Sequence, residues 1–192
     1  ENMSIEGRMT VCNLSIEMGA RGGIIAPDQK TIDYLKDREY SPKGKYWDKA
    51  LKFWNTLYSD KNAIFDKEYE FNASLIEPMI TFGTNPGMGI GISKKIPISE
   101  GSANESFQKA LKYMSFKKGE LMIGKKIDYA FLGSCTNGRL EDFKAFAEIV
   151  KGHQKAKNVT AWLVPGSHEV LKLLKQQGIL KAIEAAGFKV RE

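Results

Sequence analysis

The spacing of apolar positions alternates between strand-like and helix-like in the last third of the chain, and the elements are easiest to place there. Ile127, Tyr129, Ala130, Phe131 and Leu132 form a short apolar run, rich in strand formers, that ends at Gly133. Leu140, Phe143, Phe146, Ala147 and Val150 then recur every three or four residues, the spacing of one helix face. Glu141 and Asp142 sit in its first turn, where the helix dipole favours acids, and Gly152 supplies a stop. Val159 to Val164 reads as a second strand, ending at Pro165-Gly166-Ser167-His168. A helical region broken near Gly178 follows, then a third strand from Phe188 to Val190. This alternation predicts a parallel α/β sheet with right-handed crossovers. Loops after successive strands of such a sheet open on one edge, so Cys135 and Ser167-His168 are expected on a common rim.

Upstream the signals are more mixed. Thr10 to Gly19 reads as a helix, with Thr10 or a neighbour as cap and Gly19 as stop, so Asn13 and Glu17 share a face. Arg21 to Asp28 is expected to be a glycine-led short strand, and Thr31 to Lys36 a short helix. Gly22 and Gly23 lack the spacing to a third glycine that a phosphate-binding loop requires. Trp47, Ala50, Leu51, Trp54, Leu57 and Tyr58 mark an amphipathic helix whose aromatic stripe is expected in the core. Glu68 to Asn72 alternates as a half-buried strand, and Leu75 to Phe82 is a further extended segment that Pro78 places at an edge or bulge. Gly83 to Gly91 is a turn-rich loop and Ser93 to Gly101 a linker. A domain boundary is expected there, with residues 1–95 and 96–192 on either side. Ser102 and Glu105 make a capping box for a helix whose face is Phe107, Ala110, Leu111 and Met114.

Composition narrows the class. The 192 residues are 42% hydrophobic and 27% charged, ordinary for a globular protein. No run of about 18 apolar residues suggests a membrane span. The two cysteines, Cys12 and Cys135, make no disulfide framework and suit a reducing cytosol; no basic, apolar leader opens the chain. The net charge of +6 permits an anionic partner, yet the lysines are spread along the chain with no basic run interleaved with aromatics. That pattern argues against nucleic acid.

The chemistry concentrates at Ser134-Cys135-Thr136-Asn137-Gly138-Arg139, between a strand and a helix. Backbone N–H groups at such a turn favour a thiolate. Cys135 is read as a small buried apolar group, a nucleophile, or one thiolate ligand of a metal cluster; its polar neighbours make a poor core, and spacing does not separate the other two. As a nucleophile it would draw on His168 in a thiolate–imidazole dyad, although no third group is evident. His153, in a charged loop, is expected to be exposed.

The run Phe131-Leu-Gly-Ser-Cys-Thr-Asn-Gly-Arg139, with Glu141-Asp142 after it, resembles the first iron–sulfur signature of the aconitase superfamily. The version with Arg139 is most similar to the isopropylmalate dehydratase large-subunit branch. Ser4 to Ala20, Ala26-Pro-Asp28, Pro42-Lys-Gly44, Phe82 to Gly87 and Val164 to Ser167 resemble the same family in the same order. The resemblance implies two α/β lobes, the second with the βαβαβ sheet that carries the cluster cysteine. It also implies a [4Fe–4S] cluster held by three cysteines, with one iron acting on substrate as a Lewis acid. Water would leave 2-isopropylmalate and return at the neighbouring carbon, in leucine biosynthesis.

By the same resemblance Cys135 is a cluster ligand, and Asn13 and Glu17 face cluster and substrate. Thr136, Asn137, Arg139 and Ser167 are further candidates, with Thr84 and Asn85 near the cleft, while Cys12 is expected to be a buried thiol. The partners implied are a small subunit carrying a proton-transferring serine and a small hydroxy-dicarboxylate. The family's other two cluster cysteines follow a segment like Gly187 to Arg191, so these 192 residues are expected to be cluster-free and inactive by themselves. Homoaconitase or aconitase chemistry stands as the alternative, followed by a thiol-dependent enzyme or an RNA-binding module.

Overall fold

A computed structural model describes residues 2–98, 105–134 and 136–191. Cys135 and Ser102, with the capping box proposed for it, lie outside the described residues. The chain divides into two units, Glu1–Ala63 with Ile127–Glu192, and Ile64–Lys126.

In the first unit, strands β3 (Tyr129–Leu132), β4 (Thr160–Leu163) and β5 (Lys189–Val190) form a parallel sheet in that order. Tyr129 pairs with Thr160, Leu132 with Leu163, and Leu163 with Val190. The crossovers are α5 (Leu140–Val150) and the pair α6 (His168–Gln176) and α7 (Ile179–Ala185). Strand periodicity sends Leu132, Leu163 and Val190 to one face. Phe143, Ala147, Leu171, Leu174, Leu180 and Ile183 close over that face from the three helices. Tyr129 and Phe131 point the other way and stay exposed, with Trp162 beside Tyr129 at 5.4 Å between ring centroids. The predicted α/β pattern is therefore present, each strand trimmed by a residue or two where the ladder ends.

The first 63 residues of this unit carry α1 (Ile5–Leu14), α2 (Gln29–Leu35) and α3 (Lys45–Trp54). Helix α1 starts at the Ser4 cap rather than at Thr10, whose hydroxyl donates back to the Glu6 carbonyl inside the helix. It ends at Leu14. A separate 3-10 turn, Ile16–Met18, then carries Glu17 and stops at left-handed Gly19, φ 87°. Arg21 to Asp28 is not a strand: Gly23 runs so close to α1 that a Cβ there would lie 2.7 Å from the Cys12 Cα, and the segment has no ladder partner among the described residues. The aromatic stripe on α3 is half-buried rather than core. Trp47 and Trp54 shield each other edge-to-face at 5.6 Å, and Leu57 and Tyr58 fall beyond the helix end, exposed.

The second unit holds β1 (Met79–Thr81) paired antiparallel with β2 (Gly89–Gly91), and α4 (Glu105–Met114). Phe82, Met88, Ile96, Phe107, Ala110 and Leu111 make its core. The segment read as a linker contributes a core residue, because Ile96 is fully buried and exchanges backbone hydrogen bonds with Gly119 and Glu120. Glu68 to Asn72 is not a strand either; Tyr69 and Phe71 stack on each other at 6.4 Å, both exposed. The units thus divide at 63/64 and 126/127, whereas the sequence reading places a boundary near 95.

Replacing fully buried Leu174 by alanine should cost about 2–5 kcal/mol in urea unfolding, through lost burial and a residual cavity. Ile149→Ala, on the exposed side of α5, should stay within about 0.5 kcal/mol.

Candidate functional site

The rim beyond the C-terminal ends of β3 and β4 is built by backbone before any side chain acts. Val164 N–H donates to the Leu132 carbonyl at 2.8 Å, continuing the ladder one step past the strands. Gly133 follows with φ 139°, and a Cβ there would lie 2.2 Å from the Val164 oxygen, so the chain passes only as glycine. Two residues beyond Val164, Gly166 N–H donates to the Gly138 carbonyl at 2.8 Å, joining the two loops directly. A Cβ on Gly138 would meet the Gly166 nitrogen at 2.8 Å. The two loops share one rim, as the topology predicts.

Side chains then fix the first loop. Ser134 Oγ accepts from Asn137 N–H at 2.8 Å, and Arg139 Nε donates to the Thr136 carbonyl at 2.9 Å. Arg139 N–H donates to the Asp142 carboxylate at 3.0 Å, which starts α5. In the second loop Ser167 caps α6, its Oγ accepting from Val170 N–H at 3.2 Å. The Ser167 hydroxyl therefore has a local structural task.

Helix α1 reaches this rim. Asn13 Nδ2 donates to Thr136 Oγ1 at 2.8 Å, across 123 residues of sequence. Asn137 Nδ2 donates to Thr10 Oγ1 at 3.4 Å. Of the sequence-predicted residues, Asn13, Thr136, Asn137, Arg139 and Ser167 therefore meet around the two loops. Thr136 is buried, Arg139 half-buried, and Asn13 and Asn137 exposed. Glu17 is exposed on the 3-10 turn beyond the end of α1, so it does not share an α-helical face with Asn13. Thr84 and Asn85 belong to the second unit's hairpin loop, where the Asn85 carbonyl accepts from Met88 N–H. Cys12 is half-buried and His153 exposed. His168 is exposed at the start of α6, and its proposed pairing with Cys135 lies outside the described residues.

Sequence reading missed what holds α1. Arg8 is 7% exposed and grips Asp28 through two parallel hydrogen bonds, Nη1 to Oδ1 and Nη2 to Oδ2, both 2.6 Å. Nη1 also donates to Thr31 Oγ1, and Nε to the Met3 carbonyl, each at 3.3 Å. Asp28 caps α2 by accepting from Thr31 N–H. The Arg8 hydrogen bonds, aided by that amide, hold the Asp28 carboxyl far below the ordinary carboxylate range. An Asp three residues before a Thr at a helix start signals the cap, but nothing local signals an arginine twenty residues away.

A [4Fe–4S] cluster takes three or four thiolates. The 192 residues contain two cysteines, and no three His, Cys, Asp or Glu converge among the described residues. These residues alone do not make a complete cluster ligand set. No described helix is long and apolar enough to cross a membrane.

Two consequences are measurable. Gly166→Ala should abolish the hydrogen-exchange protection of the residue 166 amide while leaving β4 amides protected, because the clash is confined to the loops. A carboxyl with a depressed folded-state pKa contributes stability above its unfolded value and loses it as pH falls through the folded one. The difference in Tm between wild type and Asp28→Asn should therefore be constant above pH about 4 and shrink only at more acid pH.

Comparison with known proteins gives this rim a context. The family model for the aconitase family (aconitate hydratase) matches residues 1–192. The large subunit of 3-isopropylmalate dehydratase from Flavobacterium johnsoniae is 62% identical over the whole chain, which covers 42% of that relative. The same subunit from Phocaeicola vulgatus is 59% identical, with 41% of it covered, and that from Bacteroides fragilis 58%, with 42% covered. The chain thus spans about two fifths of the length of the curated relatives it matches. With the parallel sheet, its glycine-built rim and a family match running from the first residue to the last, the chain belongs to the aconitase family.

Proposed function

We propose that this chain is part of the large subunit of a hydro-lyase that interconverts 2-isopropylmalate and 3-isopropylmalate, a step of leucine biosynthesis. The observation that carries the proposal is the 2.8 Å bond from Asn13 to Thr136, which joins an N-terminal helix to the loop that contains Cys135 in sequence. High identity to dehydratase large subunits along the whole chain supports the same reading. The reaction removes hydroxide from one carbon and a proton from its neighbour, then returns them in exchanged positions. A site for it needs cations for two carboxylates and polar groups that orient the departing oxygen.

In this reading Arg139 offers a guanidinium at the rim for a substrate carboxylate, held near the loop by its own Nε bond to the Thr136 carbonyl. Asn13 orients a substrate oxygen beside Thr136, and Glu17 serves as an acid–base group near the reacting carbons. Asn137 and Ser167 shape the loops. Cys135 supplies one thiolate to a [4Fe–4S] cluster whose remaining ligands come from outside these 192 residues. The partner is a small subunit, the substrate a hydroxy-dicarboxylate, the compartment the cytosol. Residues 1–95 and 96–192 are read as portions of two aconitase-type domains. Homoaconitase or aconitase-like chemistry is the second reading, since the family resemblance leaves substrate specificity largely to the small subunit.

The test is turnover of 2-isopropylmalate by the intact large subunit with its small subunit, followed by the ultraviolet absorbance of the unsaturated dicarboxylate. Asn13→Ala and Glu17→Gln should each lower kcat by about a hundredfold or more. Turnover of homocitrate in preference to 2-isopropylmalate would replace the assignment with the second reading. Wild-type rates in Glu17→Gln would remove that residue from the chemistry.

A further inference from the structure

We propose that Arg8 and Asp28 are positioning residues for the rim: their ion pair sets where α1 lies, and through α1 it sets where Thr10 and Asn13 meet the loop after β3. The packing of α1 carries the inference. Among the described residues its one buried side chain is Arg8; its apolar Ile5, Met9 and Cys12 are half-buried, and Val11 and Leu14 are 50% and 48% exposed. A helix placed by apolar burial would show a buried stripe. Here the stripe through Ile5, Met9 and Cys12 is only half-buried, and the tightest contacts are directional polar ones.

The anchor is rigid at both ends. The planar guanidinium fork matches the Asp28 carboxylate with two 2.6 Å bonds and uses further N–H groups on Thr31 and the Met3 carbonyl. Asp28 is itself fixed as the cap of α2. Between the two helices Gly23 lies directly against the Cys12 backbone, so the connecting chain runs back along α1. Two residues beyond Arg8, Thr10 accepts from Asn137; five residues beyond, Asn13 donates to buried Thr136. A hydrogen bond of 2.8 Å does not survive a displacement of one ångström. Loosening the ion pair therefore disengages α1 from the rim without touching the apolar core under α5, α6 and α7.

Hydrogen exchange on this chain tests the inference without any turnover. In Arg8→Lys, which keeps the charge but loses the fork, amides of α1 and of residues 136–139 should exchange about tenfold faster or more. Amides of α6 and α7 should keep wild-type rates. Asp28→Asn should give the same regional pattern, so the test stands even if one variant folds poorly. Unchanged exchange at residues 136–139 in both variants would overturn the proposal. So would an increase spread evenly through α6 and α7, which would mark general destabilisation. A second arm rests on the proposed dehydratase function: in the intact enzyme with its small subunit, Arg8→Lys should lower kcat about tenfold or more while cluster absorbance is retained. If the dehydratase reading fails, wild type itself is inactive and the exchange arm still decides. If this inference alone fails, wild type turns over and Arg8→Lys matches it.

Discussion

The backbone contact between Gly138 and Gly166 is the constraint on which the rest of the site depends. Parallel pairing of β3 with β4 brings two strand ends level, but level ends alone would leave two independent loops. The direct bond from Gly166 N–H to the Gly138 carbonyl makes them one surface. That approach leaves no space for a side chain at either position, nor at Gly133, where the first loop passes over the Val164 carbonyl. Once the loops are joined, short-range bonds from Ser134, Arg139 and Ser167 suffice to set their conformation and to start two helices.

The first unit combines two modes of stabilisation. Beneath the rim, helices α5, α6 and α7 bury leucine, isoleucine and phenylalanine against one sheet face, a non-directional contribution that tolerates small shifts. On the rim, α1 meets the loop through amide and hydroxyl groups, which are directional and sensitive to small shifts. Under the proposed function that division is an advantage, because the scaffold can be stable while the groups that orient the substrate are set by geometry.

The sheet and its helices were legible because their signals are local. The run ending at Leu132 and the helical spacing from Leu140 to Val150 need no distant partner to be read, and both elements lie where the spacing puts them. Failures occurred where the deciding contact was distant. Glu68 to Asn72 alternates like a strand but has no strand to pair with among the described residues. Gly89–Gly91 has a weak strand composition yet becomes one because Met79–Thr81 lies beside it. Ile96 sits among linker-like residues and is drawn into a core by Phe107 and Leu111. The candidate site residues come by another route: family resemblance singles out Asn13 and Glu17, since their spacing alone also describes a solvated pair, and of the two it is Asn13 that hydrogen-bonds Thr136. The Arg8–Asp28 pair escaped both routes, because an ion pair twenty residues apart leaves no periodic trace.

The measurement that bears most directly on the central claim is anaerobic reconstitution of the intact large subunit with iron and sulfide, comparing Cys135→Ser with Cys12→Ser. With Cys135 as the proposed cluster thiolate and no ligand role for Cys12, Cys12→Ser should take up the broad visible absorption of an iron–sulfur cluster as wild type does, and Cys135→Ser should not. Full cluster absorption in Cys135→Ser would contradict the assignment of this rim as the site.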